Sequence, residues 1–388
     1  MPNRSYFDWN ATTPLREEAK AALQDALAAA GNPSSVHAEG RAARRLIEHA
    51  REEVAALVAA RPADVFFTSS GTEANMLALT PAIETATEKL PRDRLLISAI
   101  EHASVRAGGR FPREAVAEFP VNPDGRVNLA ALKSAVAQSP RPLVSLMLAN
   151  NETGVVQPVA AAAAIVHAGG GLLHVDAVQA VGRIACDIGA LGADLLTLSA
   201  HKIGGATGVG ALVRANEDIH IGNPLIRGGG QERGLRAGTE NVAGIAAFGA
   251  AAAAVRRAQS SETAHTLALR DCLETGLRAI SPQALIFGAG VERLPNTTLF
   301  SAAGLKAETA VIAFDLEGVA VSSGAACSSG KVQPSHVLAA MGVSPALLRG
   351  AVRVSLGWTT TKADVETFLG AWRKLATALS KGQPGIAA

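Results

Sequence analysis

The sequence predicts an α/β protein: a large unit whose mainly parallel sheet is wrapped by helices, followed by a smaller α+β unit. Three observations point there. Between about Val65 and Val213 short apolar runs alternate with helical patterns, and those runs are apolar throughout, as strands buried on both faces are. Two long helical stretches follow, and then the pattern changes to scattered strands and a closing amphipathic helix. With 388 residues, 48% of them hydrophobic, and 38 glycines, the chain suits one large core plus a smaller one and not a disordered segment.

Taken in order, "VFFTS", "LLISAI", "PLVSLMLAN", "LLHVDAVQ", "DLLTLS" and "GALVRA" are the strands of the large unit. Between them "LAALKSAVAQ" sets Leu129, Leu132 and Val136 on one helical face. Helices are expected at Asn241 to Gln259 and Ser261 to Ile280, and small-unit strands in "ALIFG", "NTTLFSA", "VAVSSG" and "AVRVSLG". A threonine cluster caps the last helix, whose Val365, Phe368, Leu369, Trp372, Leu375 and Leu379 form one apolar stripe. The expected large domain is 14–258, and the small one is 1–13 with 259–388.

Composition excludes several functions. The three cysteines, Cys186, Cys272 and Cys327, form no CxxC pair, which argues against a disulfide framework and a structural zinc site and for a reducing, cytoplasmic setting. A net charge of +2 makes no case for nucleic acid as a partner. No signal peptide is readable in "MPNRSYFDWNATTP". The most apolar run, Val242 to Val255, falls short of the roughly 20 residues a membrane span needs.

Ligands of an open α/β sheet lie at the carboxyl ends of its strands, and the chemically loaded residues here fall there. In "FFTSSGTEANM" the N–H groups of Gly71 and Thr72 at a helix start are a phosphate cradle, or the segment is an ordinary capping box. In "HVDAVQ", Asp176 and Gln179 close an apolar strand; Asp176 is a partner for a protonated pyridine nitrogen or, alone, a helix N-cap. "LLTLSAHKIGG" brings Ser199, His201 and Lys202 to another strand end, where Lys202 is a surface residue or an amine placed for a Schiff base. His102 in "AIEHASV" is structural or stacks on a planar cofactor. Together these are the parts that pyridoxal 5'-phosphate requires, and Arg353 in "GAVRVSLG" adds a two-point clamp for an amino-acid carboxylate.

The chain resembles cysteine desulfurases of the NifS/IscS type, in the class V aminotransferase superfamily of fold type I pyridoxal phosphate enzymes. The resemblance runs nearly end to end, through "YFDWNATTP", "GNPSSVHAEGR", "TSSGTEANM", "EHASV", "NNETGVVQP", "HVDAVQ", "SAHKIGG", "GGGQERGLRAGTEN", "SSGAACSSG" and "VRVSLG". It implies a seven-stranded large-domain sheet, Lys202 as the Schiff-base lysine, Asp176 as the pyridinium partner and His102 as the stacking ring. Gln179 and Asn150 would meet the cofactor oxygen and the substrate, while Gly71, Thr72, Ser199 and His201 hold the phosphate. Thr239 would reach the phosphate bound by the other subunit, so a homodimer with shared active sites is implied. Cys327, on the small-residue loop of about 322–335, would take sulfur from L-cysteine as a persulfide and hand it to an acceptor protein such as an iron–sulfur scaffold. A thiol of ordinary pKa, ~8.5, is only partly ionised at neutral pH, so local activation is expected. A selenocysteine lyase or a class V aminotransferase with the same cofactor is the alternative.

Overall fold

The computed structural model describes residues 4–29, 31–324 and 334–382. Seven strands form the large sheet: β1 (Val65–Thr68), β2 (Arg94–Ser98), β3 (Val116–Phe119), β4 (Pro142–Met147), β5 (Leu172–Asp176), β6 (Leu195–Ser199) and β7 (Gly210–Arg214). Their order is β1-β7-β6-β5-β4-β2-β3, with only β7 running against its neighbours. Six of the seven are the strands expected from apolar runs. The seventh, β3, is a four-residue edge strand, "VAEF", that is buried only at Phe119. A half-exposed edge strand carries no apolar run, so its pattern is silent.

Each two-faced strand divides its side chains by the period of two. Leu96, Val144, Leu173, Leu196 and Val213 enter the core on one face, and Leu95, Leu143, Leu172, Leu195 and Leu212 the core on the other. Helix Ala38–Leu57 lies against helix Val242–Ile280 at a near-backbone crossing: a Cβ on Gly249 would stand 2.4 Å from the Ala50 Cα.

That second helix differs from expectation, since the two anticipated stretches are one continuous helix of 39 residues. Ser260 and Ser261 in its middle are weak helix formers that contacts at both ends override. Phe248 and Val255 pack into the large core, and Leu269, Leu273 and Leu277 into a separate one with Phe300, Phe314, Val354, Phe368 and Trp372. Strands Leu285–Ile286, Thr297–Ser301, Val352–Ser355 and Ser322–Ser323 form the smaller sheet. "VAVSSG" is split: Val319–Ala320 pairs in parallel with Ser5–Tyr6, and Ser322–Ser323 joins the sheet. The closing helix, Lys362–Gly382, starts with a reciprocal cap, Thr361 Oγ1 accepting from the Asp364 N–H and the Asp364 carboxylate from the Thr361 N–H.

Candidate active site

Sheet register decides which residues can meet. Thr68 and Ser199 both pair with Gly210, Asp176 pairs with Thr197, and Met147 with Asp176. The segments leaving β1, β2, β4, β5 and β6 therefore emerge along one edge, over a cavity of about 430 Å³. Gly71, Thr72, His102, Asp176, Gln179, Ser199, His201, Lys202 and Arg353 all line it. Cys327 lies outside the described residues.

At the β1 end the capping reading of "TSSGTEANM" holds, and Gly71 and Thr72 line the cavity. Ser70 caps helix Gly71–Ala78 by accepting from the Glu73 N–H at 3.1 Å, and the Glu73 carboxylate accepts from the Ser69 N–H at 2.8 Å. The first N–H groups of a helix have no acceptor within it, so those of Gly71 and Thr72 stand at the cavity as anion donors. Glycine is needed in this corner. A Cβ on Gly71 would come within 3.1 Å of Val178 Cγ2 and 3.3 Å of Ser199 Cβ, and one on Gly210 would strike the Ser70 backbone at 2.4 Å.

Asp176 is not a helix cap, since turns follow β5. Its Oδ1 accepts from the Val178 N–H at 3.0 Å and its Oδ2 from Asn75 Nδ2 at 2.9 Å. Asn75, one turn into the helix that opens at Gly71, also donates to Ser104 Oγ. The Ser104 hydroxyl in turn meets His102 Nδ1 at 2.8 Å, and that nitrogen accepts from the Ser104 N–H. His102 thus caps a short helix and fronts the cavity as well, with its Nδ1 engaged.

Lys202 is half-buried, and its Nζ donates to the carbonyls of Asn10 at 2.6 Å and Ala11 at 2.7 Å. Burial, then Arg353 and Arg183, push its pKa down to about 7 against the pull of Asp8 and Asp176. His201, beside it, is brought down to about 4 by burial and by Lys202, and is a neutral imidazole near pH 7. Arg353 is no surface residue: it is 3% exposed, donating through Nη1 to the Asn151 carbonyl at 3.0 Å and through Nη2 to Asp8 Oδ1 at 2.8 Å. Its Nε has no acceptor among the described residues. A buried charged donor without an acceptor is costly, and the guanidinium is otherwise held by Asp8 and the Asn151 carbonyl at the wall of the cavity.

Two expected residues stand elsewhere. The Asn150 side chain is fully buried and spent on its own turn, accepting from the N–H groups of Glu152 and Thr153, and it is Asn151 that lines the cavity. Thr239 is exposed and lines a different cavity, of about 270 Å³, with Ser69, Glu232 and Arg236. Sequence reasoning also missed the residues that hold the others: Asn75 on Asp176, Asp8 on Arg353, Asn10 on Lys202 and Arg183 on Gln179. Nothing in composition or spacing marks them, although Asp8 and Asn10 lie inside "YFDWNATTP" and Asn75 inside "TSSGTEANM".

The donor set fits pyridoxal phosphate: a poorly protonated amine, a buried carboxylate with fixed oxygens, a helix-start cradle and a ring share one cavity. Comparison with known proteins agrees. The family model for class-V aminotransferases matches residues 5–368. A cysteine desulfurase of Cereibacter sphaeroides is 43% identical over 94% of this chain and 94% of its own. The cysteine desulfurase IscS of Dictyoglomus turgidum is 39% identical over 94% and 92%. The solved structure of a NifS-like protein from Rickettsia africae superposes with a TM-score of 0.87 at 36% identity, over 97% of this chain and all of that one.

Proposed function

This chain belongs to the class V aminotransferase family as a pyridoxal phosphate-dependent cysteine desulfurase, and from that premise we propose which of its residues carry the reaction. The single observation that carries the assignment is the meeting, in one cavity, of the Lys202 amine, the Asp176 carboxylate and the Arg353 side chain.

When bound, the cofactor acts as an electron sink for the bonds at the substrate's α-carbon. Lys202, with a large neutral fraction near pH 7, is the amine that would hold the cofactor and serve as proton carrier at the substrate carbon. Asp176 keeps the ring nitrogen protonated, and Asn75 keeps Asp176 aimed. Gly71, Thr72, Ser199 and His201, which line the cavity, would hold the phosphate, and His102 would lie against the ring. Gln179 faces the ring oxygen; Asn150 acts through the turn that carries Asn151. The Arg353 guanidinium, held by Asp8 through Nη2 and by the Asn151 carbonyl through Nη1, binds the carboxylate of cysteine from the wall of the cavity.

Cys327 completes the balance. Its thiolate attacks the substrate sulfur, the carbon–sulfur bond breaks, and the products are alanine and a Cys327 persulfide that passes to an acceptor protein, of which an iron–sulfur scaffold is one kind. We also propose a homodimer in which Thr239, exposed here and away from its own chain's Lys202, serves the neighbouring subunit's phosphate. The division into 14–258 and 1–13 with 259–388 is supported by the way the long helix passes from one core into the other. Among the described residues no helix is long and apolar enough to cross a membrane.

The test is to incubate the purified protein, loaded with pyridoxal phosphate, with L-cysteine and a reductant. Alanine and sulfide should form in equal amounts, and alkylation before reduction should find one extra sulfur on the Cys327 peptide and none on Cys186 or Cys272. Normal alanine release by Cys327→Ala would remove the loop from the reaction and favour a lyase.

A further inference from the structure

Arg183 lies in the turns after β5, four residues past Gln179, and is itself assigned no contact with the cofactor or the substrate. Its Nη1 donates to the Gln179 carbonyl at 2.6 Å and to Gln179 Oε1 at 2.7 Å, and its Nη2 reaches the Trp9 carbonyl at 3.5 Å. Gln179 itself is 7% exposed, and its Nε2 donates to the Asn10 carbonyl at 3.0 Å, the same oxygen that accepts from Lys202 Nζ. An amide can face a cavity with either end, and the two ends have opposite hydrogen-bonding character. Because Oε1 is taken by a cation, the end left for the cavity is the NH₂ group, with one hydrogen on Asn10 and the second free for a ligand oxygen.

We propose that Arg183 is a positioning residue that locks the Gln179 amide with its NH₂ toward the cofactor oxygen and sets a positive charge beside the Lys202 amine. This deepens the cofactor assignment above and rests on it. The two effects act together: an oxygen-first Gln179 would repel an anionic ring oxygen, and a fully protonated Lys202 could not link to the cofactor. The groups that face Lys202 come from several elements: Asp8 from the N-terminal segment, Asp176 from β5, Arg353 from the small sheet, Arg183 from the turn, and His201 next to it in the chain. Arg353 is itself bound to Asp8, so Arg183 is the cation of this set that no carboxylate contacts among the described residues.

The experiment compares Arg183→Met and Arg183→Lys with wild type in three measurements. The first is the pH titration of Lys202 in the full chain freed of cofactor, read by competitive acylation and peptide mapping. The second is retention of pyridoxal phosphate on dilution, and the third is thermal unfolding. Arg183→Met should raise the Lys202 midpoint by about one pH unit, the scale of one nearby charge at intermediate dielectric. It should weaken retention about 10-fold or more, as loss of a charge-assisted hydrogen bond does. Arg183→Lys should keep the midpoint, since the charge remains, yet still lose retention because an ammonium cannot reach all three oxygens. In a Gln179→Ala background Arg183→Met should cost less than about twofold further in retention, as coupled partners do. An unmoved midpoint in a folded Arg183→Met, or an undiminished retention loss in the Gln179→Ala background, overturns the proposal. Borohydride mapping of the cofactor to another lysine in wild type would instead overturn the cofactor assignment, so the two failures are separable.

Discussion

Arg51 is 1% exposed behind β1, where its Nη1 and Nη2 meet the two carboxylate oxygens of Glu232 at 2.7 and 2.8 Å, whereas the Lys202 amine at the strand ends meets only carbonyl oxygens and the field of two further cations. Burial works against the charge at both places. At Arg51 the hydrogen bonds and charges of Glu232 and Glu48 outweigh it and the pKa rises; at Lys202 Arg353 and Arg183 add to it and the pKa falls to about 7. The same chain therefore completes one buried cation and leaves another unfinished. The completed one ties helix Ala38–Leu57 to β1 and to the segment around Glu232, which also accepts from the Phe67 N–H. The unfinished one is where a covalent partner is expected.

Removing each cation tests that contrast most directly. Lys202→Ala should lower alanine formation ~1000-fold or more, since both the covalent link and the proton carrier are lost. Borohydride should then fix no cofactor to the chain, while in wild type it should label Lys202 alone. Thermal unfolding should change little, because the amine pairs with no carboxylate and only two backbone carbonyls lose a donor. A label on another lysine in wild type would end the comparison.

Arg51→Met should do the reverse. Leaving Glu232 buried without its partner costs about 3–5 kcal/mol, seen as a lowered midpoint in urea or heat, while the folded fraction still binds cofactor. Unchanged stability would mean that the pair is no part of what holds β1 in place.

Between the two lies Arg353, held by Asp8 through Nη2 and by the Asn151 carbonyl through Nη1, with no acceptor for its Nε among the described residues. Arg353→Lys should raise KM for cysteine about 10- to 100-fold with a smaller change in kcat, since an ammonium cannot copy a planar two-point clamp. An unaltered KM would place the carboxylate elsewhere.

The sequence carried most of this arrangement because strand ends in an open sheet are predictable and because Lys202, Asp176, His102 and Arg353 bear chemistry that is conspicuous beside apolar runs. It was silent on residues whose importance is relational. Asn75 matters only because register brings Asp176 within 2.9 Å, and Asp8 only because Ser355 N–H donates to the Phe7 carbonyl and sets the N-terminal segment along the small sheet. Such contacts span more than a hundred positions in the chain and leave no local periodicity. The fold was misread where local preference was overruled, as in the single long helix read from the sequence as two stretches, Asn241 to Gln259 and Ser261 to Ile280.

The smallest predicted effect concerns an acid in the same unfinished state. Glu101, next to His102, is fully buried; its Oε1 accepts from Ser98 Oγ at 2.6 Å and from the Met147 N–H at 2.8 Å, and its Oε2 has no partner among the described residues. Burial pushes its pKa up to about 8, the two hydrogen bonds opposing and Asp176 assisting. With the folded value above the unfolded one, about 4.5, its contribution to stability is complete below pH ~4.5 and is lost as pH rises through about 8. Glu101→Gln keeps the Oε1 acceptor and puts an uncharged NH₂ where the unpartnered oxygen was, so it imitates the protonated acid. At pH 4, below both values, the variant and wild type should unfold at nearly the same urea concentration. At pH 9 wild type carries a buried carboxylate and the variant does not, so the variant should be the more stable by about 1–3 kcal/mol. An equal difference at both pH values would show that Glu101 ionises in the folded protein as it does in the unfolded chain.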